Sequence, residues 1–291
     1  VLALGIAAAV TASLLYNSSI ALQALEARKV PAEHGLRPSL LGRLLRNRRW
    51  LGATGLGLLG WPLEIVALLL APLTVVQPCL ASGLVLLLWL GVTRLGEKPG
   101  RREFLAVAAI VGGIGGVAWA APARSTDHAG AGAITLALLL VALPMLAPYA
   151  LRKPLSRQPV RLGLVATVAA GAGYAWTAIA SKLLTDELAA GTLLLAALWL
   201  ATAAGSEGLA LLSEMSALQR RPATQMAPIM FAVQVLVPVL LAPLIFNESW
   251  AETPAGGAAL VSCMALAVGG TVLLASSKVV GALMESAHAD D

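Results

Sequence analysis

Charge is scarce in this chain. Only 12% of its 291 residues are Asp, Glu, Lys or Arg, where a soluble domain carries about 25%. A water-soluble fold has to cover its surface with polar groups, so the deficit excludes a large soluble core. Lipid is the solvent that suits a chain 58% hydrophobic with a mean hydropathy of +0.83. Aromatic residues are also few, at 4%, while Leu, Ala, Val and Gly dominate, and membrane helices carry glycine more readily than soluble ones. Cysteine is almost missing. Cys79 and Cys263 lie in separate apolar runs, which excludes a metal spacing and leaves two small hydrophobes. The three histidines, His34, His128 and His288, all fall between or beyond the apolar runs. No Gly-Lys-Ser/Thr phosphate loop occurs, which argues against ATP drive in this chain. No nucleophile with a nearby base can be assembled inside an apolar run, so the chain reads as not an enzyme.

What the chain does have is long apolar runs. A spanning helix needs about 20 mostly apolar residues, and nine runs qualify, at about 2–25, 51–71, 73–93, 103–121, 130–151, 160–182, 190–215, 223–246 and 255–276. They are continuous and too long for barrel strands. The first lacks a small-residue cleavage site leading into a soluble domain, and reads as a membrane helix rather than a signal peptide. The expected fold is all-α: a polytopic integral membrane protein of nine transmembrane helices, a single transporter domain.

The net charge of +5 invites a nucleic-acid reading, which its distribution rejects. If the first helix runs inward, 18 of the 20 basic residues fall in the cytoplasmic gaps and tail, leaving only Arg124 and Lys182 on the other side. This asymmetry is the signature of membrane topology. It predicts a multi-pass plasma-membrane protein with the N-terminus outside and the C-terminus cytoplasmic. The basic stretch 26–50 reads mainly as a topology signal whose arginines can contact anionic lipid.

An internal repeat organises the chain. Glu64, Pro72, Thr74 and Pro78 recur as Glu214, Pro222, Thr224 and Pro228 at an offset of 150. Gly115-Gly116 recurs as Gly269-Gly270, and Leu4-Gly5 with Tyr16 recurs as Leu162-Gly163 with Tyr174. Repeat 1 is expected over about 1–122 and repeat 2 over about 160–277, with a connecting helix at about 130–151. An odd number of helices separates matching positions, so the two four-helix repeats are expected to be inverted. In secondary transporters such halves place the substrate near the midplane between them.

Carboxylates inside the membrane are costly, so they mark function or a specific partner. Glu64, Glu207 and Glu214 are the candidates for binding a cation or a coupling proton, and Glu64 and Glu214 are the tentative metal ligands. Glu207 and Glu214 are seven residues apart, which places them on one helix face. Asn17 and Tyr174, on corresponding helices, are candidates to line a central cavity, as are Gln77 and Gln225. Trp61 stands one turn before Glu64, a pairing that suits capture of an amine by its ring. The competing reading makes these groups packing and interhelical hydrogen-bond residues.

The segment Leu70-Ala71-Pro72-Leu73-Thr74-Val75-Val76-Gln77-Pro78, then Leu95-Gly96-Glu97 and the glycine-rich stretch Gly112 to Gly116, resembles the drug/metabolite transporter superfamily. Thr224 to Pro228 and Asn247-Glu248-Ser249-Trp250 look like the corresponding segments of the second half. Nine helices with an outside N-terminus resemble its NIPA-like magnesium transporter branch. The resemblance implies alternating-access transport with no resident cofactor, and Mg²⁺ or another divalent cation as cargo. The alternative is proton-coupled export of a small organic metabolite or amphipathic cation. A lipid-handling or scaffold protein and a gated channel are the remaining classes. Expected partners are the lipid bilayer, a small solute or cation, and a second copy of the chain as a homodimer; no nucleic acid is expected.

Overall fold

The computed structural model describes residues 2–70, 73–94, 96, 100–120, 129–246 and 250–275. Apolar runs in lipid have no water to satisfy their backbone groups, so each closes its hydrogen bonds internally as a helix. In chain order the helices are α1 (Leu2–Ala27), α2 (Pro38–Leu44), α3 (Arg48–Leu70), α4 (Leu73–Arg94), α5 (Arg101–Ala120), α6 (Ala131–Leu151), α7 (Pro159–Ala189), α8 (Leu193–Leu218), α9 (Ala223–Phe246) and α10 (Ala258–Ala275). All except α2 are 18 residues or longer. Among the described residues, seven helices are long and apolar enough to cross a membrane: α1 and α5 through α10. The molecule is a polytopic helical membrane protein. Its outer surface agrees, with Leu58, Leu143, Leu193 and Leu194 each more than two-thirds exposed.

Prolines lie inside α3 (Pro62), α6 (Pro144, Pro148) and α9 (Pro228, Pro238, Pro243). In water such residues break helices; in a membrane bundle, neighbouring helices satisfy the freed backbone groups.

Two clusters of helices make the same neighbours. Helix α1 packs on α3 and α4, and α4 packs on α5. Helix α7 packs on α8 and α9, and α9 packs on α10. The clusters meet where α5 packs on α10 and α4 on α9, while α6 lies against α7. Small residues permit the closest crossings, as they do in membranes generally. A Cβ on Gly113 of α5 would lie 2.6 Å from the backbone nitrogen of Ala267 on α10. A Cβ on Gly171 of α7 would lie 2.7 Å from the carbonyl oxygen of Met230 on α9. Contacts along α5 and α10 pair Gly116 with Cys263, Gly113 with Ala267, and Ile110 with Gly270, so these helices run antiparallel.

The stretch between α1 and α3, read as a basic topology signal, is a folded cap. Pro38 opens α2 at its first turn, where its missing N–H costs nothing. Leu40 and Leu44, one turn apart, are fully buried, while Arg37, Arg43 and Arg46 are exposed.

Candidate functional site

Helix α8 carries the polar stripe expected from its sequence, but only part of it is enclosed. Residues 212–218 are all buried, whereas Glu207 is exposed. The seven-residue spacing puts both glutamates on one stripe; the packing around α8 then separates them into an enclosed and an open position.

Glu214 is 4% exposed. Its Oε2 accepts a 2.5 Å hydrogen bond from the Tyr174 hydroxyl of α7. Among the described residues no cationic side chain pairs with it. A turn and more away along the same seam, the Thr177 and Ser206 hydroxyls are 2.8 Å apart, and Ser206 donates back to the Ala203 carbonyl at 2.9 Å. On the neighbouring side, the Tyr149 hydroxyl of α6 is 2.9 Å from Ser213 Oγ and donates to the Leu209 carbonyl at 3.1 Å. Glu214 therefore sits in a seam of neutral hydroxyls contributed by three helices. Gly173 permits the close α7–α8 approach: a Cβ there would be 2.8 Å from that of Ala210.

Asn17 is buried on α1. Its Nδ2 donates to the Ser13 carbonyl at 2.9 Å, and its Oδ1 has no partner among the described residues. Ser13 itself donates to the Leu80 carbonyl of α4. Gln225 is buried in the first turn of α9 and accepts a 3.3 Å bond from Arg221 Nη2, away from the Glu214 seam. Trp61 is 63% exposed on α3. Glu64 and Gln77 belong to α3 and α4, but their side chains lie outside the described ones, and Glu97 and Glu248 lie outside the described residues. The structure thus brings together Glu214 and Tyr174, keeps Glu207, hydrogen-bonded to Thr177, at the exposed end of the same seam, and sets Gln225 and Trp61 apart from that pair.

The end of α8 below Glu214 is sealed by the cap. A helix end leaves its last carbonyls without partners. Here Arg28 Nε donates to the Leu218 carbonyl at 3.3 Å and Arg220 Nη1 to the Ser216 carbonyl at 2.8 Å. The Leu36 N–H donates to Ser216 Oγ at 2.8 Å. Gln219 Nε2 reaches the Val30 carbonyl at 2.9 Å, and Arg220 Nη2 the Ala32 carbonyl at 2.9 Å. Leu36 holds φ at +57°, a left-handed conformation that costs a leucine about 1–2 kcal/mol; its bond to Ser216 and its burial hold it there. Trp50, at the start of α3, donates its Nε1–H to Met215 Sδ at 3.2 Å. Glu26 is bound at 2.6 Å by Lys29 and at 2.7 Å by Asn47 within the same cap.

Composition did not single out Tyr149, Ser13 or the cap. Tyr149 carried one weak signal, a hydroxyl next to Pro148 in an otherwise apolar helix. The chain matches no protein-family model, no curated protein and no solved structure.

Proposed function

We propose that the chain is a secondary transporter whose central site is built around Glu214, moving a small organic solute or cation in exchange for protons. The observation that carries this reading is the enclosed Glu214–Tyr174 pair. An ionised carboxylate in the membrane costs about 2.5–3.5 kcal/mol on insertion scales, and a neutral tyrosine donor does not neutralise it. A proton or a cationic cargo does, and exchange between the two is the chemistry of an antiporter.

Alternating access asks for two halves that move against each other. We read α1–α5 and α7–α10 as inverted repeats, which makes nine spans in all once α3 and α4 are counted. The packing supports this. The repeat register carries Ser13, Leu80 and Gly83 onto Gly171, Met230 and Val233. Ser13 bonds to the Leu80 carbonyl and abuts Gly83; Gly171 abuts the Met230 carbonyl and Val233. In the same way Gly113 and Ala267 are repeat mates at the Gly115/Gly269 register, and they touch each other across α5 and α10. That is what a contact on a pseudo-two-fold axis does. The superfamily that the Pro-Thr-Pro segments resemble suits this layout, and the distribution of basic residues supports an outside N-terminus in the plasma membrane.

The divalent-cation reading needs several oxygen ligands around the ion. The seam supplies Glu214, hydroxyls, and Glu207 bonded to Thr177 a turn and more away, and among the described residues no three His, Cys, Asp or Glu side chains gather to hold a metal ion, which favours proton and organic cation over Mg²⁺. Proteoliposomes holding a pH-sensitive dye, challenged with a series of small amines, test this. We expect at least one amine to drive proton flux in the wild type and none in a folded Glu214→Gln variant. A parallel Mg²⁺-sensitive dye decides the cargo: Mg²⁺ uptake abolished by Glu214→Gln transfers the site to a divalent cation. No flux of either kind removes the transporter reading.

A further inference from the structure

The cap between α1 and α3 belongs to one group of helices and closes on the other. Asn47 fastens it to its own side. Its Nδ2 donates to Glu26 of α1 at 2.7 Å, and its Oδ1 accepts the N–H groups of Arg49 and Trp50, at the start of α3, at 2.9 and 3.3 Å. Lys29 holds the other oxygen of Glu26 at 2.6 Å. The stretch from Ala27 to Trp50 is thus tied to α1 and α3.

Towards α8 the contacts are of another kind. Helix α2 packs on α8, and Leu40, Leu44 and Trp50 share one buried cluster with Met215 and Leu218. The bonds from Arg28, Gln219 and Arg220 ring this cluster, each joining a polar side chain to a backbone carbonyl of the other group. Water can serve the same groups, so the net contribution of each bond is small and it can be exchanged for hydration. Gly35, at φ −56° and ψ 140°, leaves the space that the Arg220 guanidinium fills, and a Cβ there would overlap it. The opposite end of α8 has a different surround. The turn at 190–192 bonds back onto α7, with the Gly191 N–H on the Leu188 carbonyl at 3.2 Å and the Thr192 N–H on the Glu187 carbonyl at 3.0 Å. Leu193, Leu194 and Leu195 are exposed, whereas the stretch 212–218 that carries Glu214 is buried throughout. Helix α8 is therefore enclosed at the cap end and open at the other.

We propose that the cap is a releasable lid, which closes the Glu214 seam on the side of the basic connections and opens it when α1 and α3 carry the cap away from the end of α8. Alternating access needs one such closure on each side of the site in turn. The lid's role as a gate rests on the transport reading; the lid itself does not.

Ser216 is fully buried beneath Leu36, so Ser216→Cys reports the lid in a full-length chain with Cys79 and Cys263 replaced by alanine. In detergent, a hydrophilic maleimide should label this cysteine slowly. Gln219→Ala with Arg220→Ala removes the bonds to Ala27, Val30 and Ala32, and labelling should then be about ten-fold faster, the scale set by the loss of a few hydrogen bonds. If that pair does not fold, Gly35→Leu takes its place: it displaces the Arg220 guanidinium and leaves every residue of α8 unchanged. Equal labelling rates with the lid intact and weakened overturn the proposal. The gate is tested in the proteoliposome assay with Ala32→Cys and Arg220→Cys joined by a reversible bifunctional thiol reagent. Amine-driven proton flux should be lost on bridging and return on reduction; flux unchanged by the bridge overturns the gate. Where the unbridged pair or the wild type carries no flux, the labelling rates alone decide the lid, and only the second case counts against the transport reading.

Discussion

At the residue scale, the Glu214–Tyr174 bond separates a structural role from a functional one. Interhelical hydrogen bonds in membranes contribute on average about 0.6 kcal/mol and at most about 1.7 kcal/mol, because the unfolded helix also finds partners in the bilayer. Tyr174→Phe removes this one bond and keeps the ring. The expected loss of stability is therefore small, about 1 kcal/mol, measured by unfolding in detergent. If Glu214 exchanges its proton with cargo, the same change shifts the pH dependence of transport while the fold stays intact. A stability loss with an unchanged transport pH profile reduces the pair to packing. The seven-residue spacing of Glu207 and Glu214 was legible in the sequence; their unequal exposure was not, because it depends on which stretch of α8 other helices cover.

At the scale of elements, the crossing of α5 and α10 is where size matters most. A side chain at Gly113 would be driven into the backbone of Ala267, and overpacking of this kind costs about 1–3 kcal/mol. Gly113→Leu is expected to lower thermal stability and to block any rocking of one helix group on the other. Gly112, whose nearest outside neighbour is 3.9 Å away at the tip of Leu266, is the control: Gly112→Leu should be tolerated. Equal tolerance at both positions removes the crossing as a pivot. The cap over α8 belongs to this scale too. Its helix α2 is only seven residues long, too short to persist alone, and its apolar pair Leu40 and Leu44 gains stability only against the bundle. Composition saw the arginines of this stretch; the hydrogen bonds from Leu36, Gln219 and Arg220 appear only once α8 ends beside it.

At the scale of the whole molecule, topology makes the firmest prediction. Single cysteines introduced at exposed positions of the α1–α3 cap (Arg43) and of the α6–α7 connection (Arg157) should be labelled by a membrane-impermeant maleimide only from one side. One at Gly191, between α7 and α8, should be labelled from the other, against a background with Cys79 and Cys263 replaced by alanine. A further cysteine at Ala71, between α3 and α4 in sequence, should be labelled from the Gly191 side; labelling from the Arg43 side would undo the reading of α3 and α4 as spans, and with it the inverted halves.

Apolar runs, turn residues and the placement of basic side chains determine by themselves that this chain is a bundle of helices in lipid, and roughly where each helix begins and ends. The reason is local: in a bilayer a backbone without water satisfies itself in a helix or a closed barrel, and continuous apolar runs of this length suit only the helix. The matched prolines, glycines and glutamates on which the proposed repeat rests are also local features. Which polar groups are enclosed together was decided by tertiary structure. Glu214 finds Tyr174 and is enclosed, Glu207 is left open, and Trp61 faces outward. Arg221, one basic residue among twenty in the sequence, became a buried charge because Gly163 of α7 leaves room for its stem. Burial and partnership belong to pairs of helices, and no single stretch of sequence contains them.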